Sequence, residues 1–158
     1  MTLAEFNVEG LEELAAAFRR QEQTATETVR EMLTAAADEY VKAEKTAAAG
    51  YGIRRTGGFI SSIKAGAIRQ EDTALVIDIV PEGYADHGAD YGGGGGGKKR
   101  KGKSKQGNVR YATIGFIFEY GTSSIPARPW LTQALKKAEP TAHEKARAIW
   151  DNHIDKSF

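Results

Sequence analysis

From Leu11 to Ala49 the chain runs for 39 residues without a glycine or a proline. Ala, Glu, Gln, Thr, Arg and Lys dominate this stretch, and that composition favours one long helix or two collinear ones over residues 10–49. Leu11, Leu14, Phe18, Ala25, Val29, Met32, Leu33, Ala36, Tyr40, Ala43 and Ala47 recur at steps of three and four and mark its apolar stripe. The stripe weakens over Gln21 to Thr28, where a kink could fall. An unbroken helix of this length measures about 60 Å at 1.5 Å per residue, longer than a small domain is wide, so part of it must reach a neighbour. The alternative is a helical hairpin broken near Thr24 to Thr28 and folded back on its own sheet.

The rest of the chain supports a single domain over residues 1–158. A hydrophobic content of 41% is enough for one core without covalent staples. With no cysteine there is no thiolate metal site, no redox pair and no cysteine nucleophile, and the compartment cannot be read from cysteine usage. Met1 to Gly10 lacks a basic start followed by an apolar run, and no stretch approaches the ~20 apolar residues of a membrane span. A soluble protein, intracellular when made and without membrane contact, is expected. Net charge is +1, but Lys98, Lys99, Arg100, Lys101, Lys103 and Lys105 supply six cations; removing them leaves −5. A mildly acidic body carries one basic loop.

After Gly50 to Gly58, residues 59–69 read as a helical turn that finishes as a strand. Glu71-Asp72 reads as a turn. Leu75, Ile77 and Ile79 alternate with Ala74, Val76 and Asp78 over Thr73 to Val80, and Pro81 ends pairing. Ile114, Phe116 and Phe118 alternate in the same way with Gly115, Ile117 and Glu119, which gives a further strand. Sheet is therefore expected over 59–80 and 109–120. It forms a small antiparallel meander of three to four strands with helices on one face, an α+β arrangement with a long N-terminal helix. Residues 92–107, six glycines followed by KKRKGKSK and its flank, form a flexible Gly/Lys-rich insert. The C-terminal helices span 129–155. Trp130, Leu131, Ala134, Leu135 and Ala138 mark the first, Pro140 breaks it, and Thr141 with Glu144 caps a second through Ala146, Ile149, Trp150 and Ile154.

The junction at 111–131, YATIGFIFEYGTSSIPARPWL, is the segment whose order of residue types is most specific. Gly121 tolerates φ > 0, Thr122, Ser123 and Ser124 can bond their own backbone, and Pro126 and Pro129 each hold the residue before them extended. A stiff elbow is expected to join sheet to helix. Its pattern resembles the tail-completion, or head-tail joining, proteins of tailed bacteriophages, also described as phage tail components or minor structural proteins. Their shared order is Tyr-Ala, a strand, Glu-aromatic-Gly-Thr, then Pro-x-Arg-Pro-aromatic-Leu. Tyr111, Ala112, Glu119, Tyr120, Gly121, Thr122, Pro126, Arg128, Pro129, Trp130, Leu131 and Ala134 stand in that order. Thr56, Gly57, Phe59, Ser62 and Ile63 match a second element, and Gly10 to Leu14 the N-terminal one. Where family members often carry a proline before the Thr-Gly, this chain has Gly50, Gly52, Arg54 and Arg55.

The resemblance implies a structural virion protein of the phage neck that forms a ring, a hexamer by analogy, joining the head connector to the tail. Its partners would be copies of itself and neck proteins such as head-closure and tail-terminator proteins, with DNA in the channel. It would be assembled in the host cytoplasm and reside in the virion. Tyr120, Gly121, Thr122, Pro126, Arg128, Pro129 and Trp130 would form the subunit interface.

Other site readings follow from residue types. The six cations at 98–105 could release counterions on binding nucleic acid, which supports the alternative of a nucleic-acid-binding accessory protein; a solvated linker is the competing reading. No aromatic is interleaved among them to stack bases. His87 sits among Tyr84, Asp86 and Asp90, without the ordered spacing of a metal-ligand set, and reads as solvated loop. No Ser-His-Asp, Walker, His-Glu-x-x-His or Gly-x-Gly-x-x-Gly context exists. No catalytic, metal or cofactor residue is assigned, and an enzyme is not expected. Glu119 reads as a carboxylate accepting amides of the Gly-Thr turn after it, Arg128 as a bidentate donor to a neighbour's carboxylate or to its own chain, and Trp130 and Trp150 as core.

Overall fold

The computed structural model describes residues 11–53, 57–85 and 109–157. The first helix, α1 (Leu11–Gly50), is continuous, so the hairpin alternative falls. The weak patch stays helical, with its threonine hydroxyls bonded to their own helix. Thr24, Thr26 and Thr28 hydroxyls each donate to the carbonyl four residues earlier, at 2.9 Å. The helix ends where glycine permits it. Gly52 sits at φ +75°, its N–H donates to Ala49 O at 3.1 Å, and the Ile53 N–H donates to Ala48 O at 2.9 Å. That pair of bonds is a Schellman cap, with buried Ile53 and Ala48 in the accompanying apolar contact.

A short helix, α2 (Gly58–Ser62), leads into β1 (Ile63–Ala65), β2 (Arg69–Glu71), β3 (Ala74–Val76) and β4 (Ile79–Pro81). β1 pairs antiparallel with β4 (Ile63 opposite Pro81) and β2 with β3 (Arg69 opposite Val76). The two registers differ by one residue, so 63–81 is one hairpin with an extra residue on the Gly66–Ile68 side, a bulge. This splits the expected strand 73–80 at Ile77–Asp78, and Pro81 pairs as the last strand residue instead of standing outside the ladder. The Arg69 guanidinium clamps the bulge from outside by pairing with Glu71 and Asp78, which holds the Asp78 carboxyl below its usual range. The third ladder pairs β5 (Tyr84–Ala85) with β6 (Val109–Arg110) and brings together the chain on either side of residues 86–108.

The expected strand over 111–120 is a helix, α3 (Tyr111–Tyr120). YATIGFIFEY is apolar nearly all round, so a period of two and a period of 3.6 both fit it, and packing decides. In the helix Tyr111, Ile114, Gly115 and Phe118 turn inward, while Phe116 and Tyr120, four apart, share the outer face. Only Val109 and Arg110 of the 109–120 segment are strand.

The last helix, α4 (Trp130–Ser157), passes through Pro140 without a break, contrary to the expected pair of helices. Pro140 lies on the exposed side, where the carbonyl it leaves unbonded can meet water, and α1 packs along the other side. Trp130, Ala134, Ala138 and Ala142 are buried at steps of four, with Ala146, Ile149 and His153 half-buried beyond them. These small residues let α4 lie close along α1, antiparallel to it. Gly50 and Tyr51 stand near Gln133, Glu39 bonds Lys145, and Thr24 lies near His153. Trp150, expected in the core, is more than a third exposed at the rim of this seam beside Val29 and Met32.

The core lies at the other end of the seam, where α2, β1 and α3 meet the end of α1 and the start of α4: Ala48, Ile53, Phe59, Ile63, Ala85, Ile114 and Trp130. Trp130, 2% exposed, packs edge-on to Phe59 at 5.4 Å, and its Nε1 donates to the Gly115 carbonyl at 3.1 Å. A Cβ at Gly115 would stand 3.2 Å from both Phe59 Cζ and Trp130 Cζ2. Both rings are buried, and one or the other must shift by a few tenths of an ångström to admit a side chain. Gly115→Val is expected to lower unfolding free energy by about 1–3 kcal/mol through overpacking, measured by urea denaturation; an unchanged midpoint would show that the rings can move aside.

Candidate subunit interface at the elbow

The elbow 121–129 is built from its own backbone bonds. Gly121 at φ +74° could not carry a side chain, because a Cβ would lie 2.7 Å from Ala127 N and from Ile125 O. Thr122 N–H donates to Ile125 O at 2.8 Å, and the Thr122 hydroxyl oxygen accepts from Ile125 N–H at 3.1 Å. Arg128 N–H returns to the Phe118 carbonyl at the end of α3 at 2.6 Å. The loop is therefore closed onto the helix it leaves, and it joins α3 to α4 where a junction of sheet to helix was expected.

Pro129 precedes the first residue of α4 and offers no side-chain oxygen to cap it. Glu119 does this from α3. Its Oε2 accepts from Leu131 N–H at 2.7 Å, and its Oε1 accepts from Thr132 N–H at 3.1 Å and from the Thr132 hydroxyl. A buried carboxylate on the first amides of a 28-residue helix also meets the positive end of its dipole. The structural role expected for Glu119 holds, but its partners are the amides of α4, not those of the Gly-Thr turn. With 119 read as a strand end, the geometry that carries it to 131 was out of sight.

Arg128 is also spent within the chain. Its Nη1 donates to the Tyr51 carbonyl at 3.1 Å, where α1 ends, and its guanidinium lies over the Phe118 ring at 5.5 Å. Both intramolecular links join α1, α3 and the elbow. Of the seven residues expected at a subunit interface, Trp130 is core, Gly121 is half-buried, and Arg128 faces inward. Tyr120, Thr122, Pro126 and Pro129 are exposed. Sequence reading missed Phe116. It is 64% exposed and lies with its ring tilted against that of Tyr120, centroids 4.6 Å apart, itself 68% exposed, which makes a two-ring apolar patch on the outer face of α3. Spacing of four would have placed them together had the segment been read as a helix.

The basic residues Lys98, Lys99, Arg100, Lys101, Lys103 and Lys105, and His87 with Asp86 and Asp90, lie outside the described residues. Among the described residues no group of three or more His, Asp or Glu side chains is placed to hold a metal ion, and no helix is long and apolar enough to cross a membrane. One further carboxylate is unusual. Glu44, 2% exposed, sits on the inner stripe of α1 between Ala37 and Ala48, and burial alone pushes its carboxyl up to about 7. Comparison of the chain with protein-family models, with curated proteins and with solved structures finds no match in any of the three.

Two outcomes follow from the buried carboxylates. Glu119→Ala leaves the first amides of α4 without their acceptor and should cost about 1–3 kcal/mol in chemical denaturation; a loss below a few tenths would mean that water replaces the cap. Glu44 has a folded pKa above its unfolded 4.5, so its folded state holds the proton more tightly. The contribution of Glu44 to stability is therefore fully present below 4.5 and is lost as pH rises to about 7. Glu44→Gln should match the wild type near pH 4 and exceed it by about 1–3 kcal/mol at pH 8; parallel stability profiles would sink this assignment.

Proposed function

We propose that the chain is a structural protein of the phage neck, a tail-completion or head-tail connector component that forms a ring between the head connector and the tail. The observation that carries this reading is the Phe116–Tyr120 patch beside the braced elbow. Two large rings held in contact on a helix exposed to water are costly unless covered, and contiguous exposed apolar surface of this kind marks association sites. Thr122, Pro126 and Pro129 stand next to it on backbone that loses little freedom on docking, which lowers the entropic cost of association. The order of the motif residues from Tyr111 to Ala134 supports the same reading. The protein acts by shape and contact in the virion, and copies of itself are its first partners.

A second reading, contact with nucleic acid through the basic run, rests on the six cations at 98–105. Deleting 92–107 tests it: loss of salt-sensitive DNA binding with assembly intact assigns the run to nucleic acid, and loss of assembly assigns it to protein contacts.

Electron microscopy of the purified protein with mass measurement in solution should reveal closed rings. Phe116→Glu combined with Tyr120→Glu should abolish them while leaving the melting temperature within about 3 °C, as expected for exposed positions. A protein that stays monomeric at every concentration and joins no neck component would refute the proposal.

A further inference from the structure

Every residue of α1 from Ala17 to Thr24 is exposed, so two full helical turns have no buried face. Phe18 stands among them, 63% exposed. A helical segment without tertiary contacts is marginal in water, because helices in proteins draw most of their stability from a packed face. This one needs cover.

At the opposite end of the same helix, α1 and α4 leave a groove of about 480 Å³. Its floor is small: Ala43, Ala47, Gly50, Ala134 and Ala138. Lys42 and Lys137 line its walls, and the one carboxylate there, Glu39, is held by Lys145 at 2.7 Å. Small residues allow a helix to approach closely, and the hollow they leave admits a large side chain. The groove runs up to Tyr51, whose carbonyl accepts from Arg128.

Phe18 cannot reach this groove in its own chain. Phe18 and Ala43 lie on one unbroken helix, 25 residues and hence about 38 Å apart. The occupant must come from another molecule, and charge favours a second copy. Glu22, four residues after Phe18 and so on the same helix face, would bring a carboxylate to groove walls that carry Lys42 and Lys137.

We propose that the amino-terminal turns of α1 from one copy lie in the α1–α4 groove of another, with Phe18 seated over Ala43 and Ala138. This contact rests on the self-assembly proposed above and names its second half, distinct from the Phe116–Tyr120 patch. A surface that binds a different surface of the next copy can propagate around a ring.

The chain has no cysteine, so an introduced pair reports the contact cleanly. In the full chain, Phe18→Cys with Ala43→Cys should form disulfide-linked multimers on mild oxidation, and neither single variant should. Phe18→Glu should weaken self-association at least about tenfold, the loss of 1.4 kcal/mol or more expected for an uncovered aromatic anchor. Linkage in the Phe18→Cys single variant alone would mean that amino-terminal helices meet one another, and overturns the proposal. So does a double variant that forms no link in a preparation where the wild type assembles; the assembly reading then survives. If the wild type is monomeric throughout, both fall.

Discussion

Trp130 packs so close to Gly115 that a Cβ there would stand 3.2 Å from its ring, and the junction between the hairpin and the C-terminal helix is organised around that close approach. The indole ring fills the space beside Phe59 and bonds the Gly115 carbonyl, which fixes α3 against the start of α4. Glu119, one turn further along α3, then reaches the first free amides of α4. Arg128 completes the arrangement by bonding the carbonyl at the end of α1. Three helix termini thus meet within one small volume, and polar groups that two of these ends leave unpaired are met by Glu119 of α3 and by Arg128 of the elbow.

Below this junction the fold is a two-helix seam. Alanines at every fourth position of α4 bring the helices close, and this narrow interface leaves room on its flanks. One consequence is the groove between Ala43 and Ala138. Toward its amino end, α1 leaves Ala17 to Thr24 exposed. The two surfaces proposed as contacts, the amino-terminal turns of α1 and the α1–α4 groove, lie about 38 Å apart along one helix.

Glu44 stands apart from these features. A carboxyl group buried on an apolar stripe works against folding at neutral pH, since removing it from water disfavours its charged form. Its position between Ala37 and Ala48 is where spacing alone would call for an alanine or a leucine.

Much of this architecture was legible in the chain. The absence of glycine and proline from 11 to 49 was enough to predict α1, because helix propensity sums over a long window. The turn at Asp72, the helical start at Phe59 and the stiffness of the elbow follow from local chemistry. Three features were not legible, and each depends on what lies across space. Residues 111–120 fit strand or helix equally in pattern, and only the inward placement of Ile114, Gly115 and Phe118 against Phe59 and Trp130 selects the helix. Pro140 breaks a helix in isolation, but packing along α1 on its other side outweighs that cost. Glu119 finds its partners 12 and 13 residues away because α3 and α4 are brought end to end. The sequence by itself determined where helices could form and where the backbone must turn, since those are local energies. Only tertiary structure decided which faces were buried and which were left open, because burial is a property of neighbours.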